Sequence, residues 1–365
     1  MTPLELKIAE LVRAGGGAMS IGHYMVHCLA DPERGYYMTR DPLGVAGDFT
    51  TAPEISQMFG EVVGLWAADM WAKLDAPSPF ALVELGPGRG TLMADMLRAG
   101  RVMPAFTAAA RIHLVETSPV LRELQARTLA GAAPGARWHG ELATVPPGPV
   151  IVIANEFLDA LPVFQFERVA GAWRERLVML DDNGSLAIGH GDPLPNPDRE
   201  RWPDAPDGAI SERAPARERI VRELAVRITR HNGAALIIDY GHVEGGFGDT
   251  LQAVRAHRPV GILDHPGESD LTSHVDFAAL ARAAAAAGAR CHGPIEMGTF
   301  LLALGIAERA RRLGAGKDRA VRKDVDAALR RLTGPAAMGS LFQVLALASP
   351  DGPVPEPFAQ MQSPR

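Results

Sequence analysis

Near one quarter of the chain, an acidic residue precedes a loop with a glycine at every second position. In VELGPGRGT, Glu84 ends a short apolar run and is followed by Gly86, Gly88 and Gly90, with Pro87 between the first two glycines. Glycines allow close approach of a ligand, and the helix start beyond such a loop is electropositive. A carboxylate here would repel a phosphate but attract an ammonium or sulfonium group. These five residues therefore predict a site for S-adenosylmethionine, which carries both cations and no phosphate.

Two later segments place acidic residues at positions that suit a bound nucleoside. Glu116 ends a second apolar run, HLVE, where a carboxylate can accept hydrogen bonds from both ribose hydroxyls. Glu141 and Leu142 lie in WHGELATVP, the predicted turn after a third strand, and we expect them beside the adenine amine. NAD enzymes share the ribose position, so Glu116 does not choose between the cofactors. The spacing E-x-G-x-G-x-G differs from the G-x-G-x-x-G of NAD enzymes and is typical of class I methyltransferases, which disfavours an NAD-linked oxidoreductase.

A polar cluster directly after a fourth apolar run is the predicted site of methyl transfer. The segment VIVIANEFLDALP places Asn155, Glu156 and Asp159 just beyond a buried strand, where ligands gather in open α/β sheets. If the acceptor is an arginine, a carboxylate can pair with its guanidinium and aim one nitrogen at the methyl group. Glu156 is predicted to do this, with Asp159 or Asp48 in support. The simpler alternatives are that Asn155 caps the next helix and that Asp159 faces water.

The elements that must position these residues alternate between strands and helices after Pro79. Four apolar runs indicate buried strands, namely FALVEL, RIHLVE, VIVIAN and AALIIDY, and helical patterns separate at least the first two pairs. Such strands indicate a parallel sheet covered on both faces, so the predicted fold class is α/β with a Rossmann-like sheet. SLFQVLALA predicts a final strand. The turn at Asp182-Asn183-Gly184 predicts a β-hairpin insertion.

The predicted organisation is a large α/β domain with additions at both ends. Residues 1–80 are predicted to be a mostly helical region with a long loop rich in Gly, Pro and Asp, of a kind that is often functional. Residues 81–350 form the Rossmann-like domain, with insertions near 163–210 and 299–335. Residues 351–365 are predicted to be a frayed tail.

The composition argues against a polyanionic partner. The 365 residues carry a net charge of −6 with a pI near 6.0, which favours neither nucleic acid nor an anionic membrane. No run is long and apolar enough to insert into a membrane, and the histidines and cysteines show no metal-site spacing. Two distant cysteines and an amino terminus without a secretory or transit pattern predict a reducing, cytoplasmic location.

Several longer segments resemble the proteobacterial and mitochondrial MidA-like family, over nearly the whole chain from about residue 20 to 345. The most specific are GDFTTAPEIS at 47–56 and NEFLDALP at 155–162. The other matching segments are ELGPGRGTLMADMLR, HLVETSPVLRELQ, LIIDYGH, DTLQAVRAH, SDLTSHVDF and FLLALGI. The glycine loop alone is general to methyltransferases, whereas the joint presence of the two specific segments makes the match strong.

The resemblance implies a class I methyltransferase fold and symmetric dimethylation of an arginine in the large quinone-site subunit of respiratory complex I. It implies that Asp48, Phe49 and Thr50 belong to a loop that covers the cofactor, and it matches Asp239 at the end of a fifth strand. One departure is Met297, where the family commonly has glutamine, so acceptor binding can differ here. The alternative is an assembly chaperone that binds S-adenosylmethionine with little turnover. The residues do not predict an oligomeric state.

Overall fold

The computed structural model describes residues 2–42, 44, 51–195 and 202–361. Asp48, Phe49 and Thr50, expected to cover the cofactor, lie outside the described residues. The amino-terminal elements are α1 (Pro3–Ala14), β1 (Ala18–Ser20), α2 (Ile21–Ala30), α3 (Tyr36–Thr39), α4 (Ala52–Ile55) and α5 (Gln57–Lys73). Helix α1 begins at a capping box, because Thr2 and Glu5 each accept a hydrogen bond from the other's backbone N–H.

Strands and helices then alternate, as the apolar runs predict. The elements are β2 (Phe80–Leu85), α6 (Thr91–Gly100), α7 (Pro104–Ala109), β3 (Ala110–Val115), α8 (Pro119–Leu129), β4 (Arg137–His139) and β5 (Val150–Asn155). Strands β2 and β5 coincide with the predicted runs FALVEL and VIVIAN. All six residues of β5 are buried, which explains why its sequence is continuously apolar up to Asn155.

An antiparallel segment follows β5, as the alternating apolar and charged residues predict. Its strands are β6 (Phe164–Val169), β7 (Ala172–Leu180), β8 (Leu186–Pro193) and β9 (Ile210–Arg213). The predicted hairpin lies between β7 and β8, where Leu180 pairs with Leu186 across the turn. The amino-terminal strand β1 also pairs with β7, so the amino-terminal region and this insertion share one five-stranded sheet.

The remaining part of the chain completes the main sheet and adds a helical group. The elements are α9 (Pro215–His231), β10 (Gly233–His242), β11 (Gln252–Arg255), β12 (Arg258–Val260), β13 (Asp270–Thr272), β14 (Val275–Asp276), α10 (Phe277–Ala286), β15 (Arg290–Glu296), α11 (Met297–Ala303), α12 (Ile306–Gly314), α13 (Arg319–Thr333), α14 (Met338–Leu341), β16 (Phe342–Ala348) and α15 (Phe358–Met361). Helices α11 to α13 lie where a second insertion is expected. In the expected tail, Phe358 is buried in the main core.

The main sheet has the strand order β15-β16-β10-β5-β2-β3-β4, with β14 extending β10. Strands β10, β5, β2, β3 and β4 are mutually parallel, and β16 runs antiparallel between β10 and β15. In this register, Leu85 is level with Val115 and Ala154, and Asn155 is level with Ile238. The sheet therefore brings the ends of four parallel strands to one edge.

Hydrophobic cores cover both faces of this sheet. One core contains side chains of α5, α6 and α11 together with Leu332 of α13, and the other contains side chains of α9 and α10. A third core joins α1 and α2 to Val163, Val178 and Leu271, so the amino-terminal helices are anchored on the insertion. The packing holds the amino-terminal region against the edge at which the parallel strands end.

Candidate active site

A cavity of about 220 Å³ lies at this edge of the main sheet. Its described lining comes from four places: the glycine loop, the end of β3, the segment after β5, and the amino-terminal helices α2 to α4. Among the predicted residues, the lining includes Glu84, Gly86, Pro87, Gly88, Glu116, Asn155 and Glu156. The structure therefore brings most of the predicted cofactor and acceptor residues that it describes into one site.

The glycine loop has a backbone that favours glycine at each alternate position. Gly86, Gly88 and Gly90 have φ angles of 60°, 53° and 80°. A Cβ atom on Gly86 would lie 2.7 Å from the ring of Phe157, so the loop and the segment after β5 approach each other closely. The N–H of Gly90 donates to the carbonyl of Pro87 (2.7 Å), which closes the turn before α6.

Glu84 is a buried acid that lines the cavity and lacks a complete set of partners. Its side chain is 2% exposed, and its Oε2 has no hydrogen-bond partner among the described residues. Burial raises the pKa of Glu84 well above its usual value, opposed only in part by the N–H of Met93. A cationic group in the cavity would favour the ionised form and satisfy this oxygen. The orphaned acid beside a glycine cradle therefore fits a ligand that carries an amino group.

Glu116 is held in place by a hydrogen-bond network that sequence reasoning missed. Its carboxylate accepts from the N–H of Ser118 (2.8 Å) and from Nε2 of Gln125 (3.1 Å). Gln125 also donates to the carbonyl of Gly88 (2.8 Å) and accepts from Nε1 of Trp138 (2.8 Å). The network fixes the end of β3 against the glycine loop. The sequence signal for a role of Gln125 is its place as a polar residue on the apolar face of α8.

The two predicted adenine residues are not part of the described cavity lining. Glu141 is exposed, whereas Leu142 is buried in the core on the α9 side of the sheet. Met297 is fully buried in the other core at the start of α11 and does not line the described cavity either. Met297 is therefore a packed core residue in this structure.

The segment after β5 presents two hydrogen-bond acceptors to the cavity. Oε1 of Glu156 accepts from the N–H of Ala52 (2.9 Å) and from Nδ2 of Asn155 (3.1 Å). This leaves Oε2 of Glu156 and the buried Oδ1 of Asn155 without a hydrogen bond to any residue that the structure describes. Burial raises the pKa of Glu156 to about 7. The φ of Glu156 is +50°, a conformation that favours glycine, so neighbouring contacts must hold this residue.

Asp239 of β10, one residue beyond the last pair with β5, supplies the contacts that hold this segment. Its Oδ2 accepts from the N–H groups of Phe157 (3.2 Å), Leu158 (2.9 Å) and Asp159 (3.3 Å). The N–H of Glu156 donates to the carbonyl of Ile238 (2.9 Å). The neighbouring strand therefore fixes four consecutive residues, beginning with Glu156.

Asp159 is not part of the described cavity lining. Its side chain is buried, and its Oδ1 accepts from the N–H of Ala160 (2.8 Å). Its carbonyl accepts from the buried guanidinium of Arg217 (3.0 Å), which also donates to the carbonyls of Leu161 (3.1 Å) and His274 (2.7 Å). The alternative that Asp159 faces water is therefore wrong. Arg217 joins the segment after β5 to the loop after β13 and has no motif that would have revealed it.

The amino-terminal region closes one side of the cavity through ion pairs with the glycine loop. Arg89, within the loop, pairs with Asp41 (2.7 Å) and with Glu54 (3.4 Å). Glu54 also accepts from the hydroxyl of Thr91 at the start of α6 (2.6 Å). Ala52 of the same short helix, α4, donates to Glu156. Helix α4 therefore contacts both the predicted cofactor loop and the predicted acceptor residue.

Comparison with known proteins defines the class to which this fold and cavity belong. A family model described as "Putative S-adenosyl-L-methionine-dependent methyltransferase" matches residues 62–295. A crystal structure of a Burkholderia thailandensis protein bound to S-adenosyl-homocysteine aligns with a TM-score of 0.84 at 28% identity, covering 99% of this chain and 95% of that one. The fold is therefore that of an S-adenosylmethionine-dependent methyltransferase, and S-adenosylmethionine is its cofactor.

The chain belongs to this methyltransferase family, which confirms its resemblance to the MidA-like proteins. It is similar to the mitochondrial protein arginine methyltransferase NDUFAF7 homolog of Drosophila melanogaster, with 38% identity covering 91% of this chain and 82% of that protein. It is also similar to the human mitochondrial protein arginine methyltransferase NDUFAF7, with 36% identity covering 91% and 80% of the two chains. Both relatives are named as mitochondrial, which contradicts the expected cytoplasmic location.

Two further features of the described residues bear on ligands and partners. None of the described helices combines the length and apolar character that a bilayer span requires. The described residues also contain no group of three His, Cys, Asp or Glu side chains placed to hold a metal ion.

Proposed function

We propose that the protein transfers a methyl group from S-adenosylmethionine to a guanidinium nitrogen of a protein arginine. The observation that supports this most directly is a pair of acceptors on the cavity wall, Oε2 of Glu156 and Oδ1 of Asn155, which accept no hydrogen bond from the residues that the structure describes. A guanidinium presents several N–H donors in one plane, and adjacent acceptors can bind two of them. The described lining contains one arginine, Arg89, and its charge is already paired with Asp41 and Glu54.

The proposed chemistry follows from the positions of the acidic side chains. S-adenosylmethionine supplies an electrophilic methyl group on a sulfonium. Glu84 and the glycine loop bind the amino end of the cofactor, and Glu116 binds the ribose. Glu156 and Asn155 orient the acceptor nitrogen, and the Glu156 carboxylate stabilises the positive charge of the guanidinium. Asp239 and Arg217 keep Glu156 in its unusual backbone conformation.

The acceptor proposed for this activity is the large quinone-site subunit of respiratory complex I, with symmetric dimethylation as the product. Support comes from the resemblance to MidA-like proteins and from relatives that are named protein arginine methyltransferases. The check is mass spectrometry of complex I subunits from cells with and without the gene. We expect a dimethylated arginine that disappears when the gene is deleted and returns with the wild-type gene.

Asn155 and Glu156 form what we call the acceptor wall of the cavity. A Glu156→Gln variant tests whether this wall takes part in methyl transfer. Glutamine keeps the size and one acceptor oxygen but cannot balance the guanidinium charge, so we expect kcat to fall about a hundredfold or more. The Kd for S-adenosylmethionine, measured by calorimetry, should stay within about threefold of the wild-type value. Glu123→Gln is the matched control, because Glu123 lies on the exposed surface of α8.

The same variant distinguishes catalysis from the chaperone alternative. If cells that carry only the Glu156→Gln protein assemble complex I normally and lack the methylated arginine, turnover is not the function. If assembly fails in these cells while the Glu123→Gln cells are normal, methyl transfer is required.

A further inference from the structure

Helices α12 and α13 concentrate positive charge on an otherwise acidic chain. Residues 306–333 contain nine Lys or Arg and four Asp or Glu, which gives a net charge of +5, whereas the whole chain has a net charge of −6. The other residues therefore have a combined charge of −11. Such segregation creates a local positive potential that can attract an acidic partner.

Part of this charge is neutralised within the structure, and part faces solvent. Arg309 pairs with Glu61 of α5 (2.6 Å), and two further arginines of α12 pair with Glu308. Arg319 and Lys323 of α13 are exposed and form no salt bridge with a residue that the structure describes. Their charges are available to a partner.

This basic surface lies beside the acceptor wall of the cavity. Helix α13 contacts α4, in which Ala52 donates to Glu156 and Glu54 lines the cavity. Burial raises the pKa of Glu156, and the positive charge of Arg331 near the end of α13 acts in the opposite direction. A protein segment whose arginine reached Glu156 would therefore pass close to the end of α13 that carries Arg331, and Lys323 and Arg319 lie about 12 and 18 Å further along the helix.

We propose that α12 and α13 form a docking surface for an acidic segment of the substrate protein, next to the arginine that enters the cavity. This inference rests on the proposed function. The cavity is lined by Glu84, Glu116 and Glu156, which suit a cation, and by Glu54, whose charge is paired with Arg89, whereas the two helices repel a cation. A substrate that fits both surfaces has an arginine flanked by Asp or Glu. A nucleic acid would match the helices in sign but would be repelled by the cavity.

The test uses the full chain with a charge reversal on α13 and a matched reversal elsewhere. In the Arg319→Glu/Lys323→Glu variant, both positions are exposed and lie in the first half of α13, where acidic side chains suit the helix dipole. The control is Arg219→Glu/Arg230→Glu on α9, which packs on the opposite face of the main sheet. Both variants change the net charge equally, and thermal unfolding shows whether each remains folded.

The probes are two short peptides with one central arginine, flanked by glutamates in one and by glutamines in the other. We expect the wild-type protein to methylate the glutamate peptide with the higher kcat/KM, and this advantage to shrink as salt is added. In the α13 variant, KM for the glutamate peptide should rise about tenfold with kcat nearly unchanged, since two exposed attractions become repulsions. The α9 control should behave like the wild type.

Binding of the labelled peptides, measured by fluorescence anisotropy with S-adenosylmethionine present, separates this inference from the proposed function. Equal kcat/KM for the two peptides, or equal effects of the two variants, would overturn the docking surface while methyl transfer stands. The wild-type protein could instead bind the glutamate peptide preferentially, lose this preference when the α13 charges are reversed, and methylate neither peptide. That result would support docking and count against arginine methylation. Tighter binding of a labelled RNA oligonucleotide, lost only in the α13 variant, would replace the acidic protein with nucleic acid.

Discussion

Glu84 and Glu156 are acids on one cavity wall whose surroundings suit different partners. Glu84 is the penultimate residue of β2 and precedes the glycine loop, and burial raises its pKa well above the usual range. Glu156 follows β5, has one oxygen without a partner among the described residues, and has a pKa raised by burial to about 7. Each oxygen without a partner represents a cost that a bound cation can offset. The two acids therefore suit the cofactor amine and the acceptor guanidinium respectively.

The raised pKa of Glu156 predicts how activity depends on pH. Only the ionised carboxylate can pair with a guanidinium, and the acid ionises as pH rises through its pKa. In the free enzyme, kcat/KM for an arginine peptide should therefore rise with pH, reach half its maximum near pH 7 and level off about one unit higher. In the pH profile of kcat, the same rising limb should lie at lower pH, because the guanidinium bound in the enzyme–substrate complex favours the ionised form of Glu156.

The pH dependence is checked with steady-state kinetics of the wild type and of Glu156→Gln across the same buffers. Glutamine does not titrate, so the limb near pH 7 should vanish from the profile of the variant. An unchanged limb in the variant would assign the titration to another group, such as Asp159, whose pKa burial raises to about 6.

At the scale of elements, hydrogen bonds join strand β10 to the segment that follows β5. Strand β10 supplies Asp239, which accepts N–H groups from three residues of the segment after β5. Arg217 of α9 joins the same segment to the loop after β13. These contacts hold Glu156 at a φ of +50°, so the acceptor wall depends on residues that do not line the described cavity.

An Asp239→Ala variant should therefore impair catalysis without weakening the cofactor site. Loss of the shared acceptor leaves buried N–H groups unsatisfied, which should lower the free energy of unfolding by about 1–3 kcal/mol. We expect kcat to fall about tenfold or more, since Glu156 loses its fixed orientation. Calorimetry should show an S-adenosylmethionine Kd close to the wild-type value.

The conservative variant Asp239→Asn provides the control, because its amide oxygen can still accept the N–H groups. It should recover most of the kcat lost in the alanine variant. If both variants lose kcat in proportion to their thermal stability, Asp239 is a stability determinant and does not position the acceptor wall.

At the scale of the whole molecule, the amino-terminal region and the main domain share the site. Strand β1 pairs with β7 of the insertion, and α4 reaches both the glycine loop and Glu156. A ligand in the cavity therefore contacts parts of the chain that are far apart in sequence. Binding should stabilise the molecule globally, because the site exists only when these parts are assembled.

Thermal unfolding with and without cofactor measures this coupling. At a concentration about 100 times its Kd, S-adenosylmethionine should stabilise the native state by about 2.7 kcal/mol and raise Tm by several degrees. NAD at the same concentration should leave Tm unchanged, because its pyrophosphate would meet Glu84 at the glycine loop. A comparable shift with NAD would contradict the cofactor assignment.

The predictable parts of the fold were those in which local pattern and tertiary environment agree. Strands β2 and β5 are buried on both faces, so continuous apolar runs marked their limits. Strand β15 was not predicted, because Arg290–Glu296 mixes charged residues with a proline and forms only by pairing with β16. The buried Phe358, in the expected tail, likewise depends on a distant core.

The sequence by itself determined the glycine loop, the acids at the strand ends and the cofactor class, because these depend on residue types at short spacings. Only the tertiary structure decided what holds them. Gln125, Arg217 and the partners of Asp239 act across long separations in the chain, and no local pattern encodes such contacts. The structure also showed Asp159 to be buried and Glu141 to be exposed, since burial depends on which elements pack together.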